Sequence, residues 1–244
     1  MISPLFTTIV LCAGFIWLFM KMTTKKTDNA LDEYLERERK ANSVRKQPLD
    51  SLQYISVNPD DFKIPEPSPN DRISELYDSI ISLSESKIVN LTGITNTDLK
   101  LMYGVANLPT LTEYDQNFTQ LCRNIYDLGS ELTSLGYDDI AEMILLKGID
   151  YGTDISGNYL LLADLYIKNG ESAKINELIQ SAESIRSLTK EATISKLKEK
   201  LKNAGGLLLD TKDGKVTYSD DNILPADILD ILETVPYKSD DQKQ

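Results

Sequence analysis

Displacing the chain against itself by 34 residues brings Ile125, Leu128, Gly129 and Leu132 onto Tyr159, Leu162, Ala163 and Tyr166. This internal repeat constrains the fold more than any other feature of the 244 residues, because a period of that length marks a recurring supersecondary unit. Further along, Gly136 falls on Gly170, Ala141 on Ile175, Leu145 on Ile179 and Gly148 on Ala182, so apolar meets apolar and, for the most part, small meets small. Apolar side chains three and four residues apart lie on one face of a helix, and a glycine just past the last of them is a helix stop. Each copy therefore predicts two helices paired as a hairpin. Small residues at Gly129, Ala141, Ala163 and Ala182 let the paired backbones approach, while the larger ones fill the space between them.

The segment Tyr159-x-x-Leu162-Ala163-x-x-Tyr166, with Gly170 and later Ala182, resembles the tetratricopeptide repeat, and Ile125-x-x-Leu128-Gly129-x-x-Leu132 with Ala141 is a looser copy. The resemblance covers about 122 to 189. It departs from the family pattern at Thr153 and Ser187, which stand where a proline is usual, and at Ile175, which replaces a small residue. What it implies is a pair of antiparallel hairpins whose first helices line a surface for a peptide or another protein. Carried over by position, that surface comprises Arg123, Tyr126, Ser130 and Thr133 on the first copy and Leu160, Asp164, Ile167 and Lys168 on the second.

Two repeat units need covered ends. Ile194, Leu197, Leu201 and Ala204 form a narrow apolar stripe on a helix expected over 189–203, whose other faces are charged, and Gly205-Gly206 ends it. Upstream, a 34-residue shift onto 88–121 finds no comparable match, so the helices there are expected to cap the other end irregularly. They are a helix over 71–90 behind Asn70 or Asp71, and a short one over Asp98–Ala106. Thr110 with Glu113 reads as a capping box opening the long first helix of the repeat. Beyond Gly206, Asp213-Gly214 between apolar runs predicts a hairpin, and Pro225 opens a last short helix.

No charge interrupts the chain from Ile2 to Met20, about the length a spanning helix needs. A cleaved secretory signal would want a basic start and a small-residue cleavage site, and neither is present. Lys21, Lys25 and Lys26 follow the span and none precedes it, which predicts a short outer N-terminus and a cytoplasmic body. Residues 22–46 read as a charged helix, solvated rather than lipid-bound because acids interleave its bases. Residues 47–70 carry Pro48, Pro59, Pro65, Pro67 and Pro69 and read as a stiff linker. Within it, docking of the Tyr54, Ile55 and Val57 patch and plain loop composition both remain open. The expected fold class is all-α: a single transmembrane helix over 1–21, the charged helix over 22–46, the linker over 47–70, a tetratricopeptide-like domain over 71–204 and a small C-terminal hairpin and helix over 205–244.

The net charge of −12 argues against nucleic acid as a partner. The chain has no histidine and two cysteines, Cys12 and Cys122, which removes the commonest general base and any thiolate metal set. No calcium loop, phosphate-binding glycine loop or nucleophile elbow is present. Asp138 and Asp139 read as the start of a helix, with Asp138 as its cap, and Cys122 as a core thiol on an apolar stripe. The expected function is thus non-enzymatic: a single-pass, membrane-anchored scaffold or adaptor for a protein or peptide, with no cofactor and no metal. The alternative is an accessory subunit of a membrane enzyme or transport complex whose catalytic centre lies on a partner.

Overall fold

The computed structural model describes residues 4–205, except for the side chains of 4–11, Leu18 and 21–29. The C-terminal hairpin and helix expected beyond Gly205 lie outside the described residues. So do most of the side chains on which the expected span rests. Among the described residues no helix is long and apolar enough to cross a membrane. The chain is mostly helical, with one two-stranded sheet among the described residues. It divides into two compact units, Met1–Thr153 and Asp154–Gln244.

The first unit contains helices α1 (Pro4–Ser43), α2 (Asp71–Ser82), α3 (Asn96–Tyr103), α4 (Leu108–Ser134) and α5 (Asp138–Asp150), with strands β1 (Tyr54–Ile55) and β2 (Ile88–Val89). α2 starts where Asn70 accepts a hydrogen bond from the Ile73 amide at 2.8 Å, and it buries Ile73, Leu76 and Ile80. It ends at Ser82 rather than near 90. Ile88 and Val89 instead pair antiparallel with β1, Tyr54 opposite Val89 and Ile55 opposite Ile88. β-branched residues suit that pleated geometry, and their partner lies more than thirty residues upstream, beyond the reach of local periodicity.

α4 opens one turn earlier than the sequence predicts. Pro109 sits in its first turn, where a missing N–H costs nothing, so Thr110 and Glu113 lie inside the helix and form no capping box. Asn107, buried just before the helix, donates through its side-chain amide to the carbonyls of Gln47 and Tyr103, both at 2.7 Å. α4 and α5 form the first predicted hairpin. The turn between them is a Schellman motif in which Gly136 has φ +83°, the Tyr137 amide donates to Leu132 O at 2.9 Å, and the Gly136 amide donates to Thr133 O at 3.0 Å. Asp138, expected as the cap of α5, is its first helical residue, where a carboxylate still complements the helix N-terminus. Cys122 is buried, as its stripe predicts.

The linker contributes side chains to the core. Val57 and Phe62 are buried, Phe62 to 1 % exposure, and Leu49 and Leu52 pack against the cluster of Val89, Leu91, Leu99 and Leu111. A 3-10 turn over Pro59–Asp61, closed by the Asn58 side chain, is held to α5 by Asp61 and Lys147 at 3.2 Å. That carboxylate holds the Lys147 ammonium above its usual range, and burial pushes the neighbouring Tyr151 phenol up.

The charged helix expected over 22–46 is neither separate nor solvated at its end. It runs on from residues 4–21 as a single helix, and its last turns dock on α3. Ala41 is fully buried, Arg37 pairs with Asp98, Glu38 accepts from Lys100 and from the Thr97 hydroxyl, and the Gln47 amide donates to Tyr103 O at 3.0 Å. The hydrogen bond from Lys100, then that from Thr97, holds the Glu38 carboxyl below its ordinary range, and the Thr95 hydroxyl does the same for Asp98. A carboxylate whose folded pKa lies below its unfolded one stabilises the fold fully above the unfolded value, and the contribution disappears as the pH falls through the folded value. Acidification below about pH 4 is therefore expected to loosen, though not to abolish, the grip of α3 on α1, because the buried Ala41 and the Gln47–Tyr103 bond do not titrate. Amide exchange in 37–47 should rise as the pH falls while exchange in α4 stays slow, and protection of 37–47 that is the same at every pH where α4 stays folded would contradict the assignment.

The second unit contains α6 (Ser156–Lys168), α7 (Ile175–Ala182) and α8 (Lys190–Asn203). α6 ends in a second Schellman motif, with Gly170 at φ +77° and the amides of Glu171 and Gly170 on Tyr166 O and Ile167 O at 2.7 and 3.1 Å. All four residues are those of the first motif displaced by 34. α8 packs on both α6 and α7, burying Ile194, Leu197 and Leu201 as its stripe predicts. It runs parallel to α6, because Ser156 meets Thr193 at 2.6 Å near one end and Asp164 pairs with Lys200 near the other.

Candidate partner-binding surface

α4 is contacted by α5 and α2 along its length and by β2 and α3 near its start, and those contacts decide which of its residues can meet a partner. α5 lies against Gly129, where a Cβ would come within 2.6 Å of Leu145 Cγ. α2 runs antiparallel along a second side. There Asn124 donates to Ser79 Oγ at 2.7 Å, Arg72 lies 3.7 Å from Asp127, and Asn70 donates to Glu131 at 2.8 Å.

Arg123, Tyr126, Ser130 and Thr133 lie on the remaining stripe. Arg123 and Ser130 are exposed and Tyr126 and Thr133 half-buried; the Thr133 hydroxyl donates to Gly129 O at 2.8 Å. Extending the same spacing toward the helix start adds Thr112, Gln116 and Thr119, all exposed. This outward stripe of seven residues contains no acid, in a chain of net charge −12. Of the acids beside it, Asp127 and Glu131 are turned toward α2 and meet Arg72 and the cap Asn70, Asp115 accepts from the Leu91 amide at 3.1 Å, and Glu113 is exposed.

The second set lies on α6. Leu160 and Ile167 are half-buried, and Asp164 and Lys168 exposed. Leu160 falls on the ridge between Ser156 and Asp164, two α6 residues bonded to α8, and the Asp164 carboxylate is engaged by Lys200. This half of the predicted surface thus lies beside α8, which sequence periodicity places as a cap without saying which ridge it covers. Each set keeps together on its own helix.

Sequence reasoning missed two further clusters. Lys87 places its ammonium 5.5 Å from the Tyr54 ring centroid and 5.9 Å from that of Tyr114, and the two rings meet edge to face. The second is the docking of α1 on α3. Both join residues tens of positions apart, and nothing in local spacing signals them. Two shallow clefts are also present. One, of about 450 Å³, lies between Val44, Gln47 and Pro48 and the α3 residues Leu101, Met102 and Tyr103; the other, of about 500 Å³, lies under Pro59–Pro65 beside Tyr77. Neither holds a convergent set of polar groups that would orient a small molecule. Among the described residues no three His, Cys, Asp or Glu side chains gather as a metal set. No family model, no curated protein and no solved structure matches the chain.

Proposed function

We propose that the chain is a single-pass, membrane-anchored interaction scaffold of tetratricopeptide type, with no catalytic centre of its own, whose α4 stripe takes a protein or peptide partner on the cytoplasmic side. The observation that carries this reading is the composition of that stripe. Hydroxyl side chains, a glutamine, one exposed arginine and a half-buried tyrosine form one stripe of a helix about 40 Å long, and the stripe itself carries no acid. Arginine and tyrosine are enriched where binding energy concentrates, and the hydroxyls around them supply adaptable hydrogen bonds rather than binding energy. The anchored reading is supported by Phe15, Ile16, Trp17, Phe19 and Met20. They are 57–72 % exposed and distributed around α1, an arrangement that lipid tolerates and water does not.

A photoreactive residue placed at Arg123, Tyr126 or Ser130 in the full chain in native membranes is expected to capture one partner, whereas the same group at Glu191 or Glu199 on α8 captures none. Arg123→Glu should lower capture from position 126 by about tenfold or more, the scale of an interfacial hot spot. In the same membranes, protease added outside intact cells should leave the body uncut. Equal capture from α8, or cleavage of the body from outside, would overturn the proposal; a captured enzyme or transporter would make the chain its accessory subunit.

A further inference from the structure

We infer that α1 is a rigid strut that continues out of the bilayer and holds the first unit at a fixed height, rather than a flexible tether; this rests on the anchored reading above. Three observations lead there. First, α1 is uninterrupted from Pro4 to Ser43, and between Lys21 and Ser43 the sequence has neither glycine nor proline at which it would hinge. Glu33 precedes Arg37, and Glu36 precedes Lys40, by four residues, the spacing and order that favour a helix.

Second, the upper end is gripped on several sides. Ala41 is fully buried, Arg37 and Glu38 are bonded to α3, and the chain leaving α1 is held by Gln47 to Tyr103 and by Asn107 to Gln47. The backbone after α1 passes so close to Gly104, at φ +81°, that a Cβ there would meet the Arg45 carbonyl, with its carbon 2.7 Å away. Such a contact leaves no slack for α1 to swing on α3.

Third, the length is short. A bare helix of about 16 residues is marginal in water because nucleation is unfavourable. Here the segment from Lys21 to Arg37 is extended from helix already formed at both ends, by the span below and the docked turn above. Its rise sets the height at about 24 Å.

The test uses the full chain with Cys12→Ser in lipid nanodiscs, with spin labels on Ala30→Cys and Thr119→Cys, two exposed positions on α1 and α4. A single narrow distance distribution is expected. It should broaden when two glycines are inserted after Leu35, and also in the milder double variant Arg37→Ala/Glu38→Ala. A native distribution as broad as that of the glycine insertion overturns the strut. Energy transfer from a dye at Thr119→Cys to labelled headgroups should report a height that rises by about 10 Å when seven helix-forming residues are inserted after Asn29. An unchanged height also overturns the strut. A chain that fails to co-float with the nanodiscs while keeping a narrow spin-label distance refutes the anchor instead, and with it the height.

Discussion

A chain beginning at Asn70 is expected to melt at least about 10 °C below one beginning at Gln47, and to aggregate where the longer one stays monomeric. Residues 47–69 supply β1, which pairs with β2, together with Leu49, Leu52, Val57 and Phe62, all packed into the first unit. Removing them uncovers Val89 and Leu91 and opens the edge of β2, a template for association. The loss of Phe62 alone is worth about 3–5 kcal/mol, and each kcal/mol moves the midpoint of a chain this size by about 2–4 °C. Phe62→Ala in the longer chain isolates that share, whereas Lys63→Ala beside it, on an exposed residue, should leave the melting temperature within about a degree. Sedimentation and circular dichroism of the two chains decide the matter: a helical monomer of unchanged stability starting at Asn70 would show that the proline-rich segment is a spacer after all.

The second large effect lies at the waist of the first hairpin. Gly129→Leu is expected to cost about 3 kcal/mol, the upper range for overpacking, because even a Cβ at this position would stand 2.6 Å from both Cγ and Cδ2 of Leu145, which is itself fully buried. The informative comparison is a cycle. Gly129→Ala introduces the smallest clash and offsets part of it through better helix propensity, about 1 kcal/mol. Leu145→Ala removes the obstacle at a cost of about 2–5 kcal/mol. The double variant should be more stable than the sum of the two predicts, by more than about 0.5 kcal/mol. Strict additivity would mean that the two helices do not meet at this pair. At the equivalent position of the second copy, Ala163→Leu should cost about 1–3 kcal/mol, since Ala163 is fully buried, while Lys198→Ala on the exposed face of α8 should cost almost nothing.

These two experiments fall on opposite sides of what a sequence can say. Gly129 and Ala163 are legible, since helical spacing puts them on the contact face and the 34-residue shift makes them equivalents. The candidate stripe on α4 is legible for the same reason: once one face of a helix is assigned to its hairpin partner, Arg123, Tyr126, Ser130 and Thr133 fall away from it. Phe62 is not legible. Between Pro59 and Pro65 it has no periodic neighbours, and only the structure turns it inward.

By itself, then, the sequence determined the parts whose physics is local. A cap at Asn70 or Asp71 opens α2, Gly136 and Gly170 close equivalent turns 34 residues apart, and the stripe of α8 fixes the face it buries, because hydrogen bonding within a few residues and side-chain period settle each of them. Only the tertiary structure decided that α2 stops at Ser82, that Val57 and Phe62 of the proline-rich segment enter the core, that α1 is gripped by α3, and that Asp164 is held by Lys200. The deciding partner is distant in the chain each time: Val89 for Tyr54, Asp98 for Arg37, Lys200 for Asp164. Contacts of that range are settled by which faces the packed elements leave uncovered, and side-chain periodicity carries no record of them.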